Sequence, residues 1–327
     1  MTMVLHPEFE TLFLLMNSQW GEEDRMAAIK ELDTLGMDGQ SFYTRHFRVV
    51  EKYFAAFQKH MVDSPGVTLL QGIDIVLLSL YVEIFWRRPD WFADIGAASD
   101  EEVEAEVGGV LKEMTEHPGG IISALESLGF SADTKWRVML LSQSPKNQLE
   151  TIGATVSENL PAYEKAQEKV KAELTELLDH ANAIFSDPNK TRLMQICHSV
   201  TDGTPIVPTF AEPIMVMALE NVVFYGLLTD KATGNSTEFT REELIIGAKA
   251  LSEKSKLEIL MALKESPLFS LEIAEKVGLT PATISHHMNV LLLTGFVEVE
   301  KKGVKAYFRL APKGIQRFLE GVSQVLL

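Results

Sequence analysis

The sequence holds one cysteine, Cys197, in 327 residues. An intrachain disulfide is therefore excluded, and the fold has to be held by burial and hydrogen bonding. No long charge-free apolar run is present either. The most apolar stretch, Val67 to Trp86, is interrupted by Gln71, Asp74 and Glu83 and ends on Arg87-Arg88. Polar groups at such positions suit an amphipathic or buried helix better than a bilayer span. The N-terminus lacks a basic segment followed by an apolar core, so no signal peptide is expected. These absences direct the expectation to the cytoplasm, with no membrane partner. Also missing are a Gly-rich phosphate loop, a nucleophile elbow and a His-Glu metalloprotease helix. The eight histidines are scattered. No catalytic residue, cofactor or metal site is expected, and the chain does not read as an enzyme.

The net charge of −16 looks wrong for a protein that meets phosphate, yet it is unevenly spread. Residues 240–327 hold 12 Lys/Arg against 10 Asp/Glu, whereas residues 1–239 hold 18 against 36. The C-terminal part is thus mildly basic and the acid sits before it. A chain of this length can support two cores.

Up to about residue 190 the apolar spacing is helical. Phe42, Val49, Val50, Tyr53, Phe54, Phe57 and Met61 recur at that period. Ser99-Asp100-Glu101-Glu102 is a capping box, followed by the stripe Val103, Val107, Val110, Leu111 and Met114. The pattern predicts one helix from Pro161 to Ser186, with Val170, Leu174, Leu177, Leu178, Ala181 and Phe185 on its dry side. Between 190 and 230 Pro and Gly punctuate apolar runs, which predicts short strands in Arg192–Val200 and Pro213–Leu227. Lys231 to Thr237 is polar and aperiodic and reads as a linker.

The last part of the chain is the most informative. Thr240-Arg241-Glu242-Glu243 is a second capping box, and helical spacing continues through Leu263 to Ser266-Pro267. A short helix, Leu271 to Val277, turns at Gly278. Thr280 and Pro281 then form a helix start, and that helix stops at Gly295. Two short helices around a Gly turn form a helix-turn-helix. The second has a dry face of Ile284, Met288 and Leu291. Its other face offers Thr283, Ser285, His286 and Asn289, hydrogen-bonding side chains fit for base edges or phosphates, with Thr280 at its start. His287, one position round from His286 toward the core, reads as structural. Val297 and Val299 alternate with Glu298 and Glu300, Lys301-Lys302-Gly303 reads as a turn, and Lys305, Tyr307 and Arg309 alternate with Ala306, Phe308 and Leu310. This hairpin is a wing that concentrates Lys301, Lys302, Lys305 and Arg309 where phosphates would lie.

ALSEKSKLEILMAL and LEIAEKVGLTPATISHHMNVLLLTGFVEVEKKGVKAYFRL, spanning roughly residues 245–312, resemble the ArsR family of winged-helix repressors. The resemblance implies a homodimer on the palindromic operator of double-stranded DNA, and a repressor released by a ligand. Members that sense metal carry a Cys-x-Cys in the motif's first helix, or Asp and His in the C-terminal helix. Phe269 and Leu271 stand at the former positions, and Lys313 to Leu327 has neither Asp nor His, so metal sensing at those sites is not expected. Ile315, Phe318, Leu319 and Val322, continued by Val325 and Leu326, form a stripe too apolar for a free terminal helix. With Leu244, Ile245 and Ala248 they are the candidate dimer interface.

The expected architecture is mainly α: an acidic helical domain with minor β over residues 1–230, a linker at 231–239 and a winged helix-turn-helix over 240–327. The N-terminal domain has two readings. One is a sensor for a small-molecule effector, with Tyr53, Phe54, Phe57, Tyr81, Phe85, Trp86, Trp91 and Phe92 as candidate lining, though such residues are more often plain core. The other is a dimerisation or docking scaffold without ligand. Cys197-His198 is a poor metal pair, because adjacent side chains diverge.

Overall fold

The computed structural model describes residues 3–34, 37–115, 125, 130–186, 204–219, 221–233, 241–302 and 305–327. The helix that opens the chain, α1 (Pro7–Met16), is buried almost all round: Phe9, Leu12, Phe13, Leu14 and Leu15 are inside, and so are Glu10 and Thr11. Helices α2 (Glu22–Thr34), α3 (Gly39–His46), α4 (Arg48–Gln58), α5 (Pro65–Leu70), α6 (Ile75–Arg87), α7 (Trp91–Asp94), α8 (Asp100–Thr115), α9 (Ala132–Gln143), α10 (Pro145–Lys169) and α11 (Lys171–Phe185) follow, with one 3-10 turn after α7. The long α10 packs on α1, α4, α5 and α7 and is the spine of this assembly.

Of the polar groups in the apolar stretch, Gln71 ends α5, Asp74 starts α6 and Glu83 lies buried inside α6. Asp74 caps α6 by accepting from the backbone N–H groups of Val76 and Leu77. Glu83 accepts from Arg87 and from Asn221. Among the described residues, no helix is long and apolar enough to cross a membrane.

One expected helix is two. The chain leaves helical geometry at Val170 (φ −119°, ψ 17°), and Pro161 lies inside α10 instead of starting a helix. Proline removes one backbone hydrogen bond. Burial of Leu149, Ile152, Val156, Tyr163 and Ala166 along the same helix outweighs that loss. Leu178 and Phe185 are only partly buried.

A small sheet follows: β1 (Ile206–Thr209), β2 (Val216–Ala218) and β3 (Val223–Gly226), in the order β1-β3-β2. β3 pairs parallel with β1 and antiparallel with β2, and it is buried along its whole length. β2 and β3 fall in the predicted Pro213–Leu227 segment, β1 lies outside both predicted segments, and Arg192–Val200 lies outside the described residues. The first three residues of the expected linker belong to a short helix, α12 (Thr229–Thr233); the rest of it, and the Thr240 cap, also lie outside the described residues.

The C-terminal part comprises α13 (Arg241–Ser252), α14 (Lys254–Glu265), α15 (Ser270–Val277), α16 (Pro281–Thr294), the strands β4 (Val297–Lys302) and β5 (Lys305–Leu310), and α17 (Pro312–Leu326). The helical run expected to pass unbroken to Leu263 is interrupted at Glu253, whose extended backbone (φ −89°, ψ 120°) separates α13 from α14. The fold is mainly α with minor β. Its buried side chains form one large cluster from Leu5 to Leu228 and another from Leu244 to Phe318, and Met37 packs against both.

Candidate nucleic-acid interface

The helix-turn-helix is α15, a turn at Gly278 and α16. Gly278 has φ +74° and Gly295 φ +63°, the left-handed geometry that a side chain disfavours, so glycine ends both helices sharply. The Thr280 side chain accepts from the Thr283 backbone N–H at 3.2 Å, and their two hydroxyls lie 2.8 Å apart. Pro281 follows, where its missing N–H costs nothing.

Ile284, Met288 and Leu291 are buried as expected, together with Val290, against Ile259, Leu260, Leu263, Ile273 and Ala274. Thr283, Ser285, His286 and Asn289 are all partly exposed on the other side of α16, and Thr280 is exposed. Burial, and then the nearby Lys256 ammonium, hold the His286 imidazole below its ordinary pKa, against the pull of Glu253. At neutral pH this ring is an uncharged donor and acceptor, the form that reads base edges by hydrogen bonding. His287 is buried, as its position implied.

β4 and β5 pair antiparallel in the register Val297↔Leu310 through Lys302↔Lys305. Lys301 and Lys302 therefore belong to a strand and not to the turn, since each finds a partner across the hairpin. Of Lys301, Lys302 and Lys305 the structure describes the backbone. Arg309 lies opposite Glu298 and is ion-paired with it at 2.6 Å, so its charge is partly neutralised. A third segment joins the wing: Leu268 and Phe308 exchange two backbone hydrogen bonds of 3.0 and 2.8 Å. No alternation marks that single bridge in the sequence.

The candidate dimer residues divide into two groups. Phe318 and Leu244 are inside the chain's own core. Phe318 meets Phe296 edge-to-face at 5.3 Å. A Cβ on Gly247 would come 2.5 Å from the Phe318 ring, so glycine is what lets α13 and α17 approach. Phe318, expected at the dimer interface, thus has its ring in an intrachain contact. Ile315 and Val322 are partly buried on the same core. Ile245, Ala248 and Leu319 are exposed, as are Val325 and Leu326.

The aromatic residues offered as pocket lining are mostly core. Tyr53, Phe54, Phe57, Tyr81, Phe85, Trp91 and Phe92 are buried, Trp86 partly, and Phe85 stacks on Phe92 at 4.1 Å. Sequence reasoning missed the polar group among them. Glu10 of α1 accepts from the Tyr53 hydroxyl at 3.1 Å, the Thr209 hydroxyl at 2.9 Å, and the backbone N–H groups of Phe210 and Ala211 at 3.0 and 2.7 Å. One carboxylate thereby ties α1 and α4 to the end of β1. An acidic residue flanked by Phe9 and the apolar run Leu12 to Leu15 was the available sign. Cys197-His198 lies outside the described residues.

No curated protein and no solved structure matches the chain. Residues 253–299 match the model of the bacterial regulatory proteins of the arsR family, a stretch that runs from the start of α14 into β4 and leaves residues 1–252 outside it. With the helix-turn-helix geometry, that match makes the C-terminal region of this chain an arsR-type DNA-binding domain of a transcription regulator.

Proposed function

We propose that the protein is a one-component repressor: a homodimer that binds a palindromic operator through α16 and the wing, and leaves it when a small-molecule effector occupies the domain formed by residues 1–230. The observation that carries the DNA half is the division of α16 into a buried apolar side and an open side bearing Thr283, Ser285, His286 and Asn289. Thr280 stands at the positive end of the helix dipole, where a phosphate is favoured. Lys302 and Lys305, paired in the register at the hairpin's end, bring two basic residues to the wing, where a DNA phosphate would lie. Arg309 contributes less than these lysines, because Glu298 competes for it. The excess acid of residues 1–239 keeps that part off the DNA, since phosphate repels it. Repression and release by an effector rest on the likeness to arsR regulators.

Gel-shift titration at several salt concentrations tests the DNA half. Ser285→Ala is expected to weaken binding to a selected operator by roughly tenfold and to blur base choice. Lys302→Ala is expected to weaken all DNA binding about equally and to reduce the slope of log K against log salt by about 1. An unchanged affinity and salt slope for Lys302→Ala would remove the wing from the interface.

A further inference from the structure

Next to α16 lies a set of ionisable groups in which a buried lysine and a buried histidine share one exposed carboxylate. The Lys256 side chain, in α14, is only 4% exposed. An ammonium so placed is costly unless paired. Its partner is Glu253, the residue at which the chain breaks between α13 and α14. The other carboxylate oxygen of Glu253 faces Nδ1 of His287, 3.5 Å away on α16. That nitrogen is buried and has no hydrogen-bond partner among the described residues. His286, next along the chain, is the partly exposed candidate reader, its ring 6.0 Å from that of His287.

An apolar group at Lys256 would satisfy burial better. Ile284, Met288, Val290 and Leu291 already hold α16 on the domain. Hydrophobic contact is non-directional, however, and a helix can roll or slide slightly on it at little cost. Charged hydrogen-bonding groups are directional, and their best-attested use in a core is to fix register at the expense of stability.

Taking α16 as the DNA-reading helix, we infer that Glu253, Lys256 and His287 form a positioning clasp that fixes the roll of α16, and so determines which bases Ser285, His286 and Asn289 can meet. None of the three touches DNA. They act on sequence choice, not on attraction to the backbone.

The full-length wild type is used to enrich a site from a random duplex library, and affinities for that site and a scrambled duplex are measured by fluorescence anisotropy. The double variant Glu253→Gln/Lys256→Met removes both charges and strands neither. It is expected to keep its affinity for the scrambled duplex within about twofold and to lose about tenfold or more of its preference for the enriched site, the discrimination that one base-reading side chain supplies. Lys256→Arg, which keeps the charge and the pair, is expected to retain most of that preference. A double variant that folds and selects the wild-type site overturns the clasp. So does one that cannot fold, because the charges would then serve stability. A wild type that binds neither duplex overturns the DNA reading itself, and this inference with it.

Discussion

Phe318→Ala is expected to destabilise the C-terminal region by about 3–5 kcal/mol and to abolish DNA binding with it, whereas Leu319→Asp, one residue on, is expected to leave the fold intact. Phe318 is 5% exposed and wedged between Gly247 of α13 and the Phe296 ring, so truncation empties a filled space in the core. Leu319 is 59% exposed and Ile245 46%, on helices that pack on each other through Phe318 and Gly247. Apolar side chains so placed cost solubility unless a partner covers them. In the dimer proposed above, a two-fold axis brings each strip against its own copy and sets two α16 helices about 34 Å apart. An aspartate there is buried unpaired, so Leu319→Asp should give monomers that bind operator DNA weakly while melting like wild type. Circular-dichroism melts separate the two variants by stability, and sedimentation at micromolar concentration gives their mass. A Leu319→Asp protein with wild-type mass and operator affinity would move dimerisation to residues 1–230; a Phe318→Ala protein with wild-type melting would contradict the packing.

The second large effect concerns Glu10. Burial raises its pKa from 4.5 to about 7, although the Thr209 hydroxyl, the N–H groups of Ala211 and Phe210 and the Tyr53 hydroxyl all pull it back. Below about 4.5 the carboxyl is protonated in both folded and unfolded chains. As pH rises past that point the unfolded chain releases the proton and the folded one retains it until about 7. The stability contributed by the protonated form is therefore full in acid and is lost as pH rises to about 7, a swing of about 3 kcal/mol. Glu212, partly buried and held by Asn17, is raised to about 7 by desolvation as well and acts in the same direction. Glu10→Gln keeps one acceptor oxygen and no charge. Its melting temperature should fall less than that of wild type between pH 5 and pH 8, the gap corresponding to roughly 2–4 °C per kcal/mol for a domain of this size. Parallel pH curves for the two proteins would show that Glu10 keeps its ordinary pKa.

The helix-turn-helix was legible because its signals are local. Thr280-Pro281, Gly278, Gly295 and the Ile284/Met288/Leu291 spacing each act within a few residues, and the structure returns each of them. The cap at Ser99, which accepts from the Glu102 backbone N–H, is local in the same sense. The broken helices show where such reasoning ends. Nothing in the apolar period distinguishes Val170 or Glu253 from its neighbours, and the chain bends there because α10 and α14 have other elements to meet.

The sequence by itself determined the fold class, the polar face of α16 and the separation of acid from base along the chain, since periodicity, turn chemistry and charge are written residue by residue. Only the tertiary structure decided that Phe318 belongs to the core and Leu319 to the surface, that Glu298 takes a share of Arg309, and that Glu10 and Lys256 are buried among partners 43 to 201 and 3 residues away in sequence. On an amphipathic stripe every apolar residue reads alike. Which of them faces its own chain is set by the close approach of α13 and α17 at Gly247, and no pattern along one helix contains the position of another.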